Sequence, residues 1–214
     1  MTNVSANGPA RGWVLRSTHA RLYDLGSWLL LRGRARGYRQ GLLELAGVGP
    51  GSRVLDVGCG TGSLVLESVR AGAAQAIGVD ASPDMLGIAR RKAMRAGWGA
   101  TFTQASAEDL PCADASCDVV FNTIMLHHLP QPARLQCARE MRRVLKPGGR
   151  LLVVEFGAGS SGAPHGRRGH GGRHGHVPAA AVARVLLEAG LTVLESGPIG
   201  VRDLHYTLAR PARP

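Results

Sequence analysis

Lysine is almost missing from this 214-residue sequence, although the chain carries a formal net charge of +11. Only Lys92 and Lys146 are lysines, and arginine supplies the other 24 of the 26 basic side chains. Net charge bears on steering and on non-specific partners, and it does not define a fold. We interpret the skew towards arginine as partly a compositional bias of the coding sequence, and it does not by itself predict a nucleic-acid partner.

Long apolar runs and disulfide spacings are missing as well. No apolar stretch reaches the length of a membrane span, and the first residues lack the apolar segment of a secretory signal. The four cysteines are Cys59, Cys112, Cys117 and Cys137, and they form no C-x-x-C pair. We therefore expect free thiols in a reducing compartment and a cytoplasmic protein.

Arginines cluster near the N-terminus, with aromatic residues between them. The arginines are Arg11, Arg16, Arg21, Arg32, Arg34, Arg36 and Arg39, and the aromatic residues are Trp13, Tyr23, Trp28 and Tyr38. Such a face could contact an anionic membrane surface or an anionic substrate. The alternative is a solvated helical face whose arginine stems cover apolar surface. The pattern leaves both interpretations open.

Strand-like and helix-like stretches alternate through the middle of the chain. Strands are predicted over 53–57, 76–80, 100–105, 117–123 and 150–156, and helices over 63–72, 82–97 and 132–145. This alternation is typical of an α/β protein with a parallel sheet that helices cover on both faces. After a polar break, a helix over 178–188 precedes two stretches, 191–196 and 203–209, that we expect to pair as an antiparallel hairpin.

The same pattern predicts one domain with four parts. We predict a tail without regular structure over 1–17 and a single domain over 18–210. The parts are a helical cap over 18–46, a cofactor-binding core over 47–156, a loop rich in glycine and histidine over 157–176, and the last helix with its hairpin over 177–210.

A glycine-dense turn, VLDVGCGTG over 54–62, directly follows the first predicted strand. A phosphate-binding loop would need a lysine after Gly62, and there is none. A dinucleotide fingerprint would need its third glycine one residue later, where Ser63 stands. The remaining pattern is Asp-x-Gly-x-Gly-x-Gly, in which Asp56 would repel a pyrophosphate but would suit a ligand of cationic character such as S-adenosylmethionine.

Asp80 ends the second predicted strand, where an acid can accept hydrogen bonds from both hydroxyls of a ribose. Dinucleotide and adenosyl ligands share this feature. Asp80 therefore supports an adenosine-containing ligand without distinguishing the two, and the distinction depends on Asp56 and the glycine spacing.

Five stretches of the chain carry a resemblance to a known family. They are VLDVGCGTG (54–62), GVDASPDML (78–86), ASAEDLP (105–111), CDVVFNTIMLHHLP (117–130) and REMRRVLKPGGRLLVVEF (139–156). Their order and spacing resemble those of class I S-adenosylmethionine-dependent methyltransferases, chiefly the ubiquinone/menaquinone-biosynthesis type and its small-molecule relatives. The resemblance implies a Rossmann-like seven-stranded sheet of order 3-2-1-4-5-7-6, with strand 7 antiparallel and helices on both faces.

The resemblance also implies a set of residues that bind S-adenosylmethionine. The set comprises Asp56, Gly58, Cys59, Gly60, Thr61 and Gly62 in the first turn, Asp80, Ala81 and Met85 after strand 2, Ser106 and Ala107 after strand 3, and Asn122 and Thr123 at the end of strand 4. Most relatives have Asp or Asn at position 106. The hydroxyl of Ser106 can accept the same hydrogen bond but without the charge, which implies weaker binding of the adenine.

Histidines are the candidates for contact with the acceptor. His127 and His128 follow strand 4 at the edge where α/β sheets bind ligands, although a packing role is equally compatible with the pattern. His174 and His176 lie in the 157–176 loop, which could be a substrate lid, a solvated loop or, with spacing that fits no known motif, a metal site. We predict no metal. Tyr23 is a further candidate for substrate binding, or for plain helical packing.

The sequence thus predicts an enzyme that uses S-adenosylmethionine to methylate a small-molecule acceptor on carbon, oxygen or nitrogen. His127, His174 and His176 are the candidate general bases. Two alternatives are a nucleic-acid methyltransferase and a non-catalytic partner that binds the adenosyl ligand. The stretch NTIM over 122–125 lacks the Asn/Asp-Pro-Pro-aromatic tetrad typical of enzymes that methylate base amino groups, so we expect no specific nucleic acid.

Overall fold

The computed structural model describes residues 35–157, 177–201 and 203–212. These residues form helices α1 (Ala35–Ala46), α2 (Ser63–Arg70), α3 (Pro83–Ala96), α4 (Gln131–Val144) and α5 (Ala179–Glu188). The strands are β1 (Arg53–Val57), β2 (Gln75–Asp80), β3 (Thr101–Gln104), β4 (Cys117–Thr123), β5 (Leu145–Phe156), β6 (Leu191–Pro198) and β7 (Leu204–Pro211). A 3-10 turn covers Leu126–His128.

The seven strands form one sheet of order β3-β2-β1-β4-β5-β7-β6. Strands β1 to β5 pair in parallel, and β7 runs antiparallel to both β5 and β6. The predicted fold class and the predicted terminal hairpin are therefore confirmed. Strand order reverses between β1 and β4, and this is the position where open α/β sheets bind their ligands.

Strand β5 differs most from its predicted bounds. It begins at Leu145, whereas the sequence predicts a turn over 146–149 and a strand only from Arg150. Leu145 pairs with Cys117, and the register with β4 then shifts before Val119 pairs with Arg150. The Lys-Pro-Gly-Gly stretch is thus an irregularity inside a longer strand, because pairing resumes on both sides of it. The other described elements end within two residues of their predicted bounds.

The helices cover both faces of the sheet. Helices α1, α2 and α3 contribute to the apolar clusters on one face, which contain Leu43, Phe121 and Leu86 among others. Helices α4 and α5 contribute to the larger cluster on the other face, with Met141 and Leu186 fully buried. Burial of these apolar side chains holds the sheet rigid, so the loops at the carboxyl ends of its strands start from fixed positions.

Helix α3 is delimited by the signals that its sequence contains. The Ser82 side chain accepts a hydrogen bond from the Met85 N–H, Pro83 occupies the first turn, and Gly97 ends the helix in a left-handed conformation with φ +65°. The N-cap Ser82 lies two residues after Asp80 and donates its backbone N–H to the Asp80 side chain, so the start of α3 and the end of β2 are held together.

Several predicted regions lie outside the described residues. These are the tail over 1–17, most of the helical cap and nearly all of the 157–176 loop, so their assignments remain predictions. Of the N-terminal arginines, Arg36 lies in α1 and its Nε is 3.6 Å from Glu67 Oε1 of α2. Among the helices that the structure describes, none is long and apolar enough to cross a membrane.

Candidate functional site

Polar side chains from four strands meet at the carboxyl edge of the sheet. Asp56 lies in β1, Asp80 ends β2, Asn122 lies near the end of β4, and Glu155 lies near the end of β5. Because these strands are parallel neighbours, their carboxyl ends open on the same side of the sheet. The predicted ligand edge therefore exists, and it has one carboxylate that the sequence analysis did not single out, Glu155.

The glycines of the first turn are required by its conformation. Gly58, Gly60 and Gly62 have φ of +76°, +53° and +73°, values that side-chain-bearing residues rarely adopt. A Cβ on Gly58 would lie 2.4 Å from Met125 Cγ, and one on Gly62 would lie 2.6 Å from Phe102 Cε1. The loop consequently approaches the β4–α4 connection closely on one side and α3 with β3 on the other.

Asp80 organises this loop. Its Oδ2 accepts a 2.8 Å hydrogen bond from the Gly60 N–H, and its Oδ1 accepts one of 2.8 Å from the Ser82 N–H. Burial raises the pKa of Asp80, while these two hydrogen bonds act to lower it. The Asp80 carboxylate thus holds the backbone of the loop and can also bind a ligand, since each of its oxygens can accept one more hydrogen bond.

Two buried acceptor atoms lack donors in the part of the chain that the structure describes. Asp56 is 1% exposed and its Oδ1 has no partner there. Asn122 donates from Nδ2 to the Val57 carbonyl at 3.0 Å, while its Oδ1 has no partner. Buried acceptors are rarely left without donors in folded proteins. Two such atoms beside the glycine loop indicate a ligand that brings N–H groups or positive charge.

The charge state of Asp56 adds to this requirement. Burial, together with the charge of Asp80, raises the pKa of Asp56 to about 7. An adjacent cation would favour the ionised carboxylate and lower that pKa. The sulfonium and ammonium of S-adenosylmethionine supply this cationic character, so the residues present fit the cofactor that the sequence implied.

The remaining predicted cofactor residues fall into three groups by exposure. Ala81 and Ser106 are exposed, Gly60, Ala107 and Thr123 are half-buried, and Cys59, Thr61 and Met85 are buried. The Ser106 Oγ accepts from the Glu108 N–H at 3.2 Å. Roles for the predicted cofactor residues remain predictions, but the buried ones would meet a ligand chiefly through their backbone.

Lys92 of α3 forms a hydrogen bond with the hydroxyl of Thr61. Its Nζ donates to Thr61 Oγ1 at 2.9 Å and to Ser63 Oγ at 3.1 Å. These hydroxyls flank Gly62, so one ammonium fixes both sides of the end of the glycine loop. No motif in the sequence predicts this role of Lys92. Its one signal was lysine itself, retained in a chain where almost every other basic residue is arginine.

We expect Lys92→Met to weaken S-adenosylmethionine binding about threefold to tenfold, because it removes the ammonium that bonds both loop hydroxyls. Isothermal titration calorimetry measures the change. Lys146→Met is the matched control. Lys146 bonds both oxygens of Asp118 at the start of β4, far along the strand from the glycine loop. Equal loss of affinity in both variants would indicate general destabilisation instead of loop positioning.

His127 is held by a buried carboxylate. Its Nδ1 is 2.8 Å from Glu155 Oε2, and its backbone N–H donates to Glu155 Oε1 at 3.3 Å. The two side chains are 11% and 3% exposed. A carboxylate can only accept, so with Glu155 as the acceptor the bond is donated by His127 Nδ1, and the tautomer with its hydrogen on Nδ1 leaves Nε2 as an acceptor.

The segment that carries His127 is restrained from other sides as well. Arg134 of α4 donates from Nε to the carbonyls of Leu126 and Leu129 at 3.0 and 2.9 Å. The ring of Phe156 stands edge-on to His127 at a centroid distance of 5.9 Å, and His128 lies at 3.9 Å. This set of contacts fixes the imidazole in one orientation at the carboxyl edge.

The other predicted acceptor residues are only partly placed. His128 is exposed beside His127. Tyr23, His174 and His176 lie outside the described residues, so their roles remain predictions. Within those residues, no group of three or more histidine, cysteine or acidic side chains could hold a metal ion.

The fold and this site define a class of protein. The topology, the glycine loop with its two acids, and the two buried acceptors beside it agree with a family model described as a methyltransferase domain, which matches residues 54–149. Together these findings support a class I S-adenosylmethionine-dependent methyltransferase, with S-adenosylmethionine as its cofactor.

Relatives with similar sequences are also named as methyltransferases. A ubiquinone/menaquinone biosynthesis C-methyltransferase UbiE from Ectopseudomonas mendocina is 38% identical over 147 residues, which are 67% of this chain and 56% of that protein. The protein of the same name from Syntrophotalea carbinolica is 42% identical over 136 residues, 63% of this chain and 56% of the relative. The match thus spans little more than half the length of these relatives.

Known structures agree on the fold. A SAM-dependent methyltransferase from Aquifex aeolicus superposes with a TM-score of 0.70 at 20% identity, over 91% of this chain and 98% of that one. The [4+2]-cyclase SpnF superposes with a TM-score of 0.69 at 22% identity, over 84% and 82% of the two chains. Because a protein named as a cyclase shares this fold, the reaction has to be argued from the site.

Proposed function

We propose that this protein methylates a small molecule that bears an ionisable hydroxyl, such as a phenol or quinol, on the oxygen or on the carbon conjugated with it. The observation that carries the proposal is the His127–Glu155 pair. A buried carboxylate that orients an imidazole at a ligand edge is the arrangement used for general-base catalysis.

S-adenosylmethionine, when bound, supplies an electrophilic methyl group on a positively charged sulfur. The glycine loop and Asp80 hold the adenosyl ligand, and Asp56 balances its charge. His127 Nε2 takes the proton of the acceptor hydroxyl, and Glu155 stabilises the imidazolium that forms. The electron pair freed on the acceptor would form the new bond to the methyl carbon, while the pair of the carbon–sulfur bond would leave with sulfur. Where a ring carbon is methylated, the proton on that carbon would then move to the oxygen as the ring regains its aromaticity. His127 releases its proton to water.

Alignment of the reacting groups accounts for much of the expected acceleration. Holding two reactants in the correct geometry lowers barriers by about 7–11 kcal/mol. A positioned base adds about 10²–10⁴ in rate where a proton has to be removed. The rigid strands β4 and β5 therefore carry the chemistry, since both His127 and its carboxylate are fixed at their carboxyl ends.

The relatives support the choice of acceptor. Their names describe C-methyltransferases of ubiquinone and menaquinone biosynthesis. Methylation of a ring carbon in a quinol is helped by loss of a hydroxyl proton, which raises the electron density of the neighbouring carbons. This chemistry needs a base such as His127. The comparisons do not favour a nucleic-acid methyltransferase or a non-catalytic binding partner.

The proposal also covers the location of the protein in the cell and its approach to a membrane surface. We infer that the protein acts in the cytoplasm, in keeping with its free thiols among the described residues. The arginine-rich segment before α1 would let it approach an anionic membrane surface, where apolar quinol-like acceptors accumulate.

A screen with methyl-labelled S-adenosylmethionine tests the proposal. The acceptors are 1-naphthol, 1,4-naphthohydroquinone and catechol, compared with an aliphatic amine, a thiol, a phospholipid and transfer RNA. We expect label in a hydroxyarene product, with one S-adenosylhomocysteine formed for each methyl group transferred. Transfer to the amine or the RNA, with none to any hydroxyarene, would contradict the proposal.

A further inference from the structure

A third histidine lies at the same edge of the sheet, on a strand that the sequence analysis assigned only to the hairpin. His205 is the second residue of β7, and it pairs directly with Glu155 across the antiparallel β5–β7 ladder. Directly paired residues point to the same face of a sheet, with Cβ atoms about 4.5–5.5 Å apart. His205 therefore lies on the face of the carboxylate that holds His127.

Gly157 makes room for the imidazole of His205. A Cβ on Gly157 would lie 2.5 Å from Cδ2 and 3.1 Å from Nε2 of that ring. The Gly157 N–H donates to the Asp203 carbonyl at 2.7 Å, and this bond holds the end of β5 against the start of β7. The ring thus extends past Glu155 towards the carboxyl edge, over a position where only glycine leaves the space free.

The imidazole of His205 has unused hydrogen-bonding capacity. The side chain is half-buried, and within the described ranges neither ring nitrogen has a hydrogen-bond partner. A half-buried imidazole of this kind presents one donor and one acceptor to whatever enters the site. His127 and His205 are consequently arranged on either side of Glu155, one bonded to it and one paired with it across the ladder.

We infer that His205 is an acceptor-binding residue that hydrogen-bonds a polar atom of the substrate while His127 deprotonates another. The inference rests on the proposed function and narrows it to acceptors with two polar groups, as in a quinol or a hydroxylated carbonyl compound. His205 fixes which way such a ring enters the site, and so it selects the atom that is methylated.

Three variants test this role in steady-state kinetics with 1,4-naphthohydroquinone. We expect His205→Leu to raise KM for this acceptor about tenfold, because one hydrogen bond is lost, while S-adenosylmethionine affinity stays unchanged. Gly157→Ala displaces the ring and should have the same effect. His205→Gln, which keeps a side-chain donor, should recover most of the loss. Tyr206→Phe is the matched control, since Tyr206 faces the opposite side of β7.

A second measurement does not depend on turnover. The protein is labelled at its histidine rings, and 1-naphthol is added in the presence of S-adenosylhomocysteine while the ring resonances are recorded by NMR. Each signal is assigned by its loss in the corresponding variant. We expect the signals of both His127 and His205 to shift.

The outcomes separate this inference from the proposed function. A shift of His127 alone, or an unchanged acceptor KM in His205→Leu, would overturn the role of His205 and leave the proposed function standing. A shift of neither ring, with no hydroxyarene methylated by the wild type, would contradict the proposed acceptor class and the inference with it.

Discussion

Replacing His127 with glutamine is expected to lower kcat for a hydroxyarene acceptor by about 10²–10⁴, because the general base is lost. The glutamine side chain can still bond Glu155, so the 3-10 turn should keep its position. Steady-state kinetics with labelled S-adenosylmethionine measures the change, and calorimetry of cofactor binding is the control for folding. We expect the cofactor affinity to stay within about twofold of the wild type.

Glu155→Gln separates the base from its orientation. Unlike a carboxylate, the amide does not stabilise a protonated imidazole, so the imidazole loses its proton more easily and the pH profile of kcat should move to lower pH. The imidazole itself remains, so kcat should fall less than in His127→Gln. Full activity in His127→Gln would remove this histidine from the mechanism. A large loss in Glu155→Gln without any change of the pH profile would indicate a packing role for Glu155.

Asp56→Asn is expected to weaken S-adenosylmethionine binding about 10-fold to 100-fold above pH 8, because it removes a buried charge from the cationic end of the ligand site. The wild type should show a pH dependence that the variant lacks. With a pKa of about 7 for Asp56 in the cofactor-free protein, the carboxylate is mostly protonated at pH 6 and mostly ionised at pH 8. Cofactor affinity should then rise about tenfold between these pH values.

Titrations at pH 6 and pH 8 on both proteins provide the test, because the amino group of the ligand titrates alike in each. The same shift predicts the stability of the cofactor-free protein. The pKa of Asp56 in the folded protein exceeds its unfolded value of 3.8, so the folded state holds the Asp56 proton more tightly. The free energy of unfolding therefore falls as pH rises from about 4 to about 7. An identical pH dependence of binding in wild type and Asp56→Asn would contradict the assigned role.

The glycine loop and the two acids of this site could be predicted from the sequence because their signals are local. Asp56, the three glycines and Asp80 sit at fixed offsets from strand ends, and strand ends are marked by the change from apolar runs to turn residues. The start of α3 could also be predicted from the sequence, since Ser82 and Pro83 are standard signals for a helix N-terminus. These short-range patterns define the cofactor end of the site.

The acceptor end could not be predicted in the same way because its contacts join distant parts of the chain. His127 and Glu155 are 28 residues apart. At the cofactor end, the contacts of Lys92 could not be predicted for the same reason, since its ammonium reaches hydroxyls 29 and 31 residues away. Glu155 had a signal, an acid that closes an otherwise apolar strand. Its partner nevertheless depends on where the β4–α4 connection folds back. His205 depends on the register of β7 against β5, which a hairpin prediction does not specify.

Calorimetric titration of the purified protein with S-adenosylmethionine, S-adenosylhomocysteine and NAD tests most directly which ligand binds at the glycine loop. We expect one site that binds both adenosyl ligands with micromolar affinity and no measurable binding of NAD, since Asp56 and the early third glycine disfavour a pyrophosphate. Binding of NAD as tight as that of S-adenosylmethionine would contradict this expectation.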